Sequence, residues 1–282
     1  MVENRPLLKL LSHVVLIAGA AITILPIWIA FVASTHPLDA MVTGRVPIWP
    51  GDRMVENYWQ VLVGGLPDAG GVPVGMMLLN SLVMALAITL GKIAISLIAA
   101  YAIVWFRFPF RMACFWLIFI TLMLPVEVRI LPTYKVVADL GMLNSFTGLS
   151  IPLIASATAT FLFRQFFMTV PDELCEAARI DGAGPVRFFI DVLLPLSRTN
   201  IAALFVILFI YGWNQYLWPL LITTDESFYT VVMGLQRMVN TADALPNWHL
   251  VMATAMLALL PPVVVVVIMQ RQFVKGLVET EK

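Results

Sequence analysis

Three ionisable residues lie inside long apolar stretches of the sequence, where a charge is costly. They are Lys92, Glu127 and Arg129. Charged side chains within a bilayer usually face the interior of the helix bundle and pair with one another or line a pathway. A helix rises 1.5 Å per residue, so counting from Arg107 and Arg111 puts Lys92 and Glu127 at about 22 and 24 Å from one membrane surface. The two side chains are therefore expected at similar depth.

Two interpretations of these charges stay open. In the first, Lys92 and Glu127 neutralise each other and only fix the packing of two helices. In the second, the surplus positive charge lines a path for an anion, and Arg129 holds a phosphate group in bidentate fashion. Pro125 and Pro132 flank this stretch and are expected to break or kink the helix, as in many membrane transport sites.

A polar and aromatic run at 211–218 supplies two weaker candidates for a substrate path. Asn214 and Gln215 need hydrogen-bond partners if they lie at membrane depth. Part of the same run is also typical of an aromatic belt at the outer interface.

No residue pattern in the sequence indicates a catalytic site, a nucleotide site or a metal site. Its Gly91-Lys92 pair has Leu86 and Ile93 where a phosphate-binding loop needs Gly and Ser or Thr. The two cysteines and three histidines are scattered, which does not match the ligand spacing of a metal site. We therefore expect neither an enzyme nor a bound metal.

The composition places these residues in a membrane protein. The 282 residues are 61% hydrophobic and only 12% charged, with a mean hydropathy of +0.92, whereas soluble domains have about 25% charged residues. That much apolar surface needs lipid as its solvent. The net charge of +0 gives no reason to expect nucleic acid as a partner.

Six stretches are long enough to cross a membrane, which predicts an all-α protein with six transmembrane helices. They lie at about 13–35, 76–105, 112–131, 143–163, 200–222 and 250–270. The first is too long for the core of a signal peptide, so we expect it to stay as an uncleaved helix. If both termini face the same side, eleven Lys and Arg residues flank that side and four flank the other. The excess puts both termini in the cytoplasm and makes 164–199 a cytoplasmic loop.

The cytoplasmic loop has the pattern of two short amphipathic helices around a glycine turn. It reads Glu176-Ala177-Ala178, then Gly182 after three residues, then Val192-Leu193-Leu194-Pro195 after nine more. Gly182 suits the left-handed conformation of a sharp reversal. An ordinary loop resting on the membrane surface is the alternative interpretation.

The spacing resembles the EAA loop of ABC importer permeases, E-A-A-x3-G-x9-I-x-L-P, with Val192 in the place of Ile. Other segments are similar to the sugar-uptake branch of this family, such as 80–82, 107–109, 213–214 and 218–220. The amino-acid sequences of residues 122–132 and 161–169 resemble, more specifically, a permease of this family that transports a phosphorylated polyol.

This resemblance implies a single permease domain, 1–282, with the type I ABC importer fold in a bacterial inner membrane. It implies three kinds of protein partner: a second homologous permease, a cytoplasmic ATPase subunit in two copies and a periplasmic binding protein. Membrane lipid surrounds the chain, and ATP is bound by the partners, so the chain itself needs no cofactor. The coupling residues are Glu176, Ala177, Ala178, Gly182, Val192, Leu194 and Pro195, and Pro195 is expected to begin the fifth span.

Other functions remain as alternatives. A permease of the same family for a neutral sugar or polyol would use the same loop. An autonomous secondary transporter would instead predict inverted repeats, and residues 1–140 and 141–282 show no similarity.

Overall fold

The computed structural model describes residues 6–42, 47–65, 70–240 and 245–278. Within these ranges it leaves out the side chains of Pro6, Leu8, Val42, Leu122, Val126, Glu127 and residues 271–278. All regular structure in the described ranges is helical, which confirms the predicted all-α fold class.

The α-helices, in chain order, are α1 Pro6–Ser34, α2 Leu38–Val42, α3 Met54–Val63, α4 Val74–Trp105, α5 Arg111–Ile120, α6 Val126–Asp139, α7 Phe146–Ser150, α8 Ala157–Phe167, α9 Asp172–Ile180, α10 Pro185–Phe188, α11 Leu194–Leu196, α12 Arg198–Trp213, α13 Leu217–Ile222, α14 Val231–Val239 and α15 Trp248–Val278.

Three of the helices in the described ranges are each long and apolar enough to cross a membrane. They are Lys9–Ser34 of α1, Val74–Trp105 of α4 and Trp248–Gln270 of α15. Two helix pairs are apolar enough when taken together but are bent, by 49° between Phe146–Leu153 and α8 and by 72° between Pro185–Leu196 and α12. The division into six spans in one permease domain stays a prediction.

The predicted third span, 112–131, is not one continuous helix. α5 ends at Ile120, a single 3-10 turn follows, and Leu124 is extended with φ −86° and ψ 114°. Pro125 causes this break, because a proline disfavours the helical conformation of the residue before it. Pro132, in contrast, lies inside α6 without ending it. The depth expected for Glu127 assumes an unbroken helix from Arg111. Because that helix is interrupted, the depth of Glu127 stays a prediction.

The chain forms two compact units, and the first contains the described residues of Met1–Met76 and Gly234–Leu260. The end of α1 is capped within this unit by a buried asparagine. Asn57 Nδ2 donates to the carbonyl oxygens of Ser34 at 2.9 Å and His36 at 3.0 Å. Carbonyls at a helix C-terminus have no partner inside the helix, so Asn57 satisfies groups that lipid or a dry interior would leave unpaired.

The second unit contains the described residues of Met77–Met233 and Pro261–Lys282. It has two hydrophobic cores. The loop-side core joins α4, α8 and α12 to the segment around α10, and its buried residues are Ile93, Leu97, Ala100, Ala159, Phe163, Phe167, Val170, Phe188, Leu193, Leu204 and Leu208. The far core joins the middle of α4 to α6, α7 and α13 through Met84, Ile88, Ile130, Val137, Leu149, Trp218 and Ile222.

The segment between α13 and α14 is fastened to α4 by buried polar contacts. Asn80 is 3% exposed, and its Nδ2 donates to the carbonyl oxygens of Ser227 at 2.7 Å and Tyr229 at 3.0 Å. Next to it, Ser81 Oγ accepts from the Val231 amide at 2.8 Å. Two adjacent polar residues of α4 therefore fix the path of the chain about 150 residues later.

A left-handed asparagine organises the start of the same segment. The backbone N–H of Asn144, a residue with φ +51°, donates to the Ile222 carbonyl. The side-chain Oδ1 of Asn144 accepts from the backbone N–H groups of Thr224 and Asp225. The hydroxyl and amide of Ser227 both donate to the Asp225 carboxylate. These hydrogen bonds lower the pKa of Asp225 below its ordinary value.

Replacing Asn80 tests whether this anchor holds the segment. Asn80→Leu keeps the size of the side chain but leaves two buried carbonyls without donors, so we expect a loss of about 2 kcal/mol of unfolding free energy. Thermal unfolding of the purified chain in detergent measures the effect. Asn200→Leu is the control, because the side-chain amide of Asn200 makes no hydrogen bond with the described residues. Equal melting temperatures for the two variants would disprove the anchoring role.

Candidate coupling loop and substrate path

The sequence predicts that the first helix of the cytoplasmic loop starts at Pro171 and its acidic neighbours and ends at Gly182, and α9 has these ends. Pro171 precedes it in extended conformation, and Asp172 and Glu173 occupy its first turn, where carboxylates suit the positive end of the helix dipole. At its end, the Gly182 amide donates to the Arg179 carbonyl at 3.0 Å, and the Ala183 amide donates to the Ala178 carbonyl at 2.8 Å. This pair of bonds is a Schellman motif.

Gly182 is the left-handed residue that this motif requires, with φ +75°. Gly184, two residues later, has φ −71° and needs no such freedom. A Cβ atom at either position would meet no other atom within 4 Å. The two glycines therefore differ in backbone conformation and not in available space.

The two faces of α9 have different surroundings. Cys175 and Ala178 are half-buried and pack against the loop-side core, whereas Glu176 and Ala177 are exposed. Leu174 and Ile180 are also exposed, Ile180 to 86%. Leu174, Ala177 and Ile180 follow one another at intervals of three residues, so they form an apolar outer stripe with Glu176 beside it.

The second half of the loop continues into the bundle. α10 is followed by one π-helical turn, Phe189–Leu193, in which Leu193 is fully buried. Val192 and Leu194 pack partly buried on the same core. Pro195 lies in α11, and a 72° bend separates Pro185–Leu196 from α12, which begins at Arg198. The two arms are apolar enough to form one span together, so the expectation that Pro195 begins the fifth span stays a prediction.

Tyr101 links α4 to this half of the loop. Its hydroxyl donates to the Pro185 carbonyl at 2.9 Å. Its ring lies 5.1 Å from the ring of Phe189 and 5.2 Å from that of Phe106, centroid to centroid. Tyr101 therefore holds the start of α10 against the end of a membrane helix.

Close helix packing surrounds Lys92. A Cβ atom at Gly91 would lie 2.7 Å from Ile154 Cγ2, and one at Gly212 would lie 3.0 Å from Ala85 Cα. Small residues allow membrane helices to approach this closely. Tyr211, the residue before Gly212, lies against Lys92, the residue after Gly91.

Lys92 is buried, with 6% of its surface exposed. Its Nζ lies 3.8 Å from the centroid of the Tyr211 ring, a cation–π geometry. The Arg129 side chain is exposed. The Glu127 side chain is outside the described residues, so its pairing with Lys92 stays a prediction.

The two amide candidates differ in their surroundings. Gln215 is half-buried, and its Nε2 donates to the Tyr211 carbonyl at 3.1 Å, one turn from the Lys92 contact. Asn214 is exposed at the end of α12. The structure therefore brings Lys92 and Gln215 into one neighbourhood around Tyr211, whereas the place of Arg129 in the path stays a prediction.

Sequence reasoning missed Ile180 of the loop and Tyr101 of α4, which contacts the loop. Tyr101 carries a weak signal, since an aromatic pair at i and i+4 with Trp105 precedes the predicted membrane edge. Ile180 carries none, because an apolar residue in an amphipathic helix is normally expected to be buried. Among the described residues, no group of three or more His, Cys, Asp or Glu side chains could hold a metal ion.

An all-helical membrane chain with an EAA-type loop packed into its bundle has the fold and the site of an ABC importer permease. The comparison with known families agrees. The family model described as "binding-protein-dependent transport system inner membrane component" matches residues 92–279. The chain belongs to this family, which confirms the predicted inner-membrane location.

Relatives match the whole length of the chain. The sn-glycerol-3-phosphate transport system permease protein UgpE of Agrobacterium fabrum is 60% identical over 282 residues, which is all of both chains. The proteins of the same name from Rhizobium meliloti and Escherichia coli K12 are 60% and 57% identical over the same length.

A solved structure has the same fold. It is a chain of a bacterial ABC transporter involved in the import of the acidic polysaccharide alginate. The TM-score is 0.82, and the alignment covers 97% of this chain and 99% of that one at 21% identity.

The Schellman turn can be tested with its two glycines. Gly182→Ala forces a left-handed alanine, which costs about 1–2 kcal/mol, and should speed amide hydrogen exchange across α9 by roughly five- to thirtyfold. Gly184→Ala, with the same added methyl group and no backbone strain, should leave exchange unchanged. Hydrogen exchange followed by mass spectrometry of peptides from 171–183 measures both variants, and identical exchange would contradict the assigned turn.

Proposed function

We propose that this chain is one of two permease subunits of an ATP-driven importer that carries sn-glycerol-3-phosphate across the inner membrane. Glycerophosphodiesters, in which the glycerol phosphate carries a second ester bond, are further candidate substrates. The observation that carries the proposal is full-length identity of 57–60% to permeases named for sn-glycerol-3-phosphate transport.

The charges near Tyr211 support an anionic substrate. We assign Lys92 and Arg129 to one path, in which two cations leave a surplus of positive charge beside the single carboxylate of Glu127. A phosphate ester that enters the path offsets this surplus, because opposite charges attract strongly where water is scarce. A neutral sugar would not offset it.

The outer stripe of α9 supports a protein partner in the cytoplasm. Leu174, Ala177 and Ile180 expose apolar surface on a loop predicted to face the cytoplasm, and an amphipathic helix binds a partner by laying such a face into a groove. We assign that groove to an ATPase subunit, one copy for each permease. ATP binding and hydrolysis belong to these partners.

The internal contacts of the loop suggest how motion reaches the membrane. A displacement of α9 acts on Gly182, α10 and Leu193, which is buried in the loop-side core. From there it passes to α12 across the 72° bend and to α4 through Tyr101. Such movement would alternate the bundle between inward-open and outward-open states. On the other side of the membrane, the segment 223–249 is our candidate for contact with the periplasmic binding protein.

Uptake measurements test the substrate and its path together. In cells that lack this chain, the wild-type chain should restore uptake of radiolabelled sn-glycerol-3-phosphate. Lys92→Met should raise the concentration for half-maximal uptake about tenfold, because a hydrogen bond to a charged group contributes about 1.5–3 kcal/mol. Arg111→Gln, a change outside the candidate path, should not.

If the wild-type chain restores uptake of a neutral sugar but not of sn-glycerol-3-phosphate, the proposed substrate is wrong, and the assignment to the permease family still holds. Unchanged uptake by the Lys92→Met variant would remove Lys92 from the path.

Co-purification tests the docking stripe. A tagged wild-type chain should retain an ATPase subunit, and Ile180→Asp should lose most of it, because a carboxylate cannot be buried in an apolar groove without a partner. Leu140→Asp is the control, since Leu140 is also exposed, to 67%, but lies in a predicted outer segment. If the wild-type chain transports substrate with no ATPase bound, the chain is an autonomous transporter and the proposal fails.

A further inference from the structure

A groove lies beside the bend between the loop and α12, entirely within the second unit. It encloses about 330 Å³. One side is formed by α12 through Arg198, Ile201, Ala202 and Phe205, and the other sides include Ile190 from the π-helical turn and Met269 from α15. The groove is also lined by Leu194 and Pro195, which belong to the coupling residues of the loop.

The α12 side of the groove has a regular arrangement. Residues 198, 201, 202 and 205 are spaced at i, i+3, i+4 and i+7, so they share one helix face. That stripe is about 10 Å long at 1.5 Å per residue. Arg198 is its polar end, and the three residues that follow are apolar. A ligand that fits this stripe has an anionic head at one end and a hydrocarbon body.

The position of Arg198 matches the level of lipid headgroups. It is the first residue of a helix that enters the membrane, on the side that the distribution of Lys and Arg predicts to be cytoplasmic. Its side chain is exposed and makes no ion pair with another residue in the part of the chain that the structure describes. Basic pockets between membrane helices on the cytoplasmic side bind anionic lipid headgroups.

We propose that the groove binds an anionic phospholipid of the cytoplasmic leaflet. The guanidinium of Arg198 binds the headgroup phosphate, and one acyl chain lies along Ile201, Ala202 and Phe205. Because Ile190 precedes the bend and Phe205 follows it, the bound lipid contacts both arms and stabilises the angle between them. This inference requires only the membrane location of the chain and does not depend on the substrate.

Photo-crosslinking in vesicles tests the site directly. The transporter is reconstituted in phosphatidylcholine vesicles that contain phosphatidylglycerol with a photoactivatable acyl chain, and labelled peptides are identified by mass spectrometry. We expect labels in 198–205 and around Met269, with competition by unlabelled phosphatidylglycerol and little by phosphatidylcholine. Arg198→Gln should reduce labelling about fivefold, since one basic residue contributes about 1 kcal/mol near an anionic surface.

Three variants make the outcome decisive. Arg198→Lys keeps the charge and should retain most of the labelling. Arg107→Gln removes an exposed arginine at the same predicted surface but outside the groove, and should change nothing. Ala202→Phe fills the groove and should reduce labelling with Arg198 intact. Equal labelling by a photoactivatable phosphatidylcholine, labelling unaffected by Arg198→Gln, or no label in 198–205 because protein covers it would each refute the lipid site.

Discussion

A backbone amide or carbonyl that lies in hydrocarbon must find its partner inside the protein, and the interrupted helices of this chain depend on that constraint. α12 ends before its apolar stretch does, and Gln215 supplies a side-chain donor to the Tyr211 carbonyl left at the end. Trp218 Nε1 donates to the Gly148 carbonyl at 3.1 Å in the same way. Polar side chains in these segments therefore allow breaks that a wholly apolar helix could not contain, and one of the breaks adjoins the contact between Lys92 and Tyr211.

In the proposed mechanism the loop has two functions that usually conflict. A docking surface has to leave apolar residues exposed, as Ile180 is, whereas a part that transmits movement has to be packed firmly. The two faces of α9 would separate these demands. Ala178 and Leu193 pack on the loop-side core, and the opposite face of α9 is exposed. Gly182, in its left-handed conformation, makes the turn between α9 and α10.

Local patterns predicted the fold class, the long apolar helices, the ends of α9 and its glycine turn, because each depends on composition or on a few adjacent residues. The break before Pro125 followed from proline geometry, but the continuation of α6 through Pro132 did not, since neighbouring helices decide it. The Lys92 contact with Tyr211 joins residues 119 positions apart. No periodicity encodes such a pairing, so only the folded chain could supply it.

The anchor at Asn80 sets an order of events during biosynthesis. Its acceptors are 147 and 149 residues further along the chain, and a ribosome adds about 5–20 residues per second. The amide of Asn80 is therefore made roughly 7–30 s before the carbonyls that it will bind. For that interval the side-chain amide of Asn80, near the start of α4, has no partner from this segment. This favours keeping that end of α4 in water or against the insertion machinery until the segment after α13 has been made. The final closure of the second unit is consequently a late, post-insertion step.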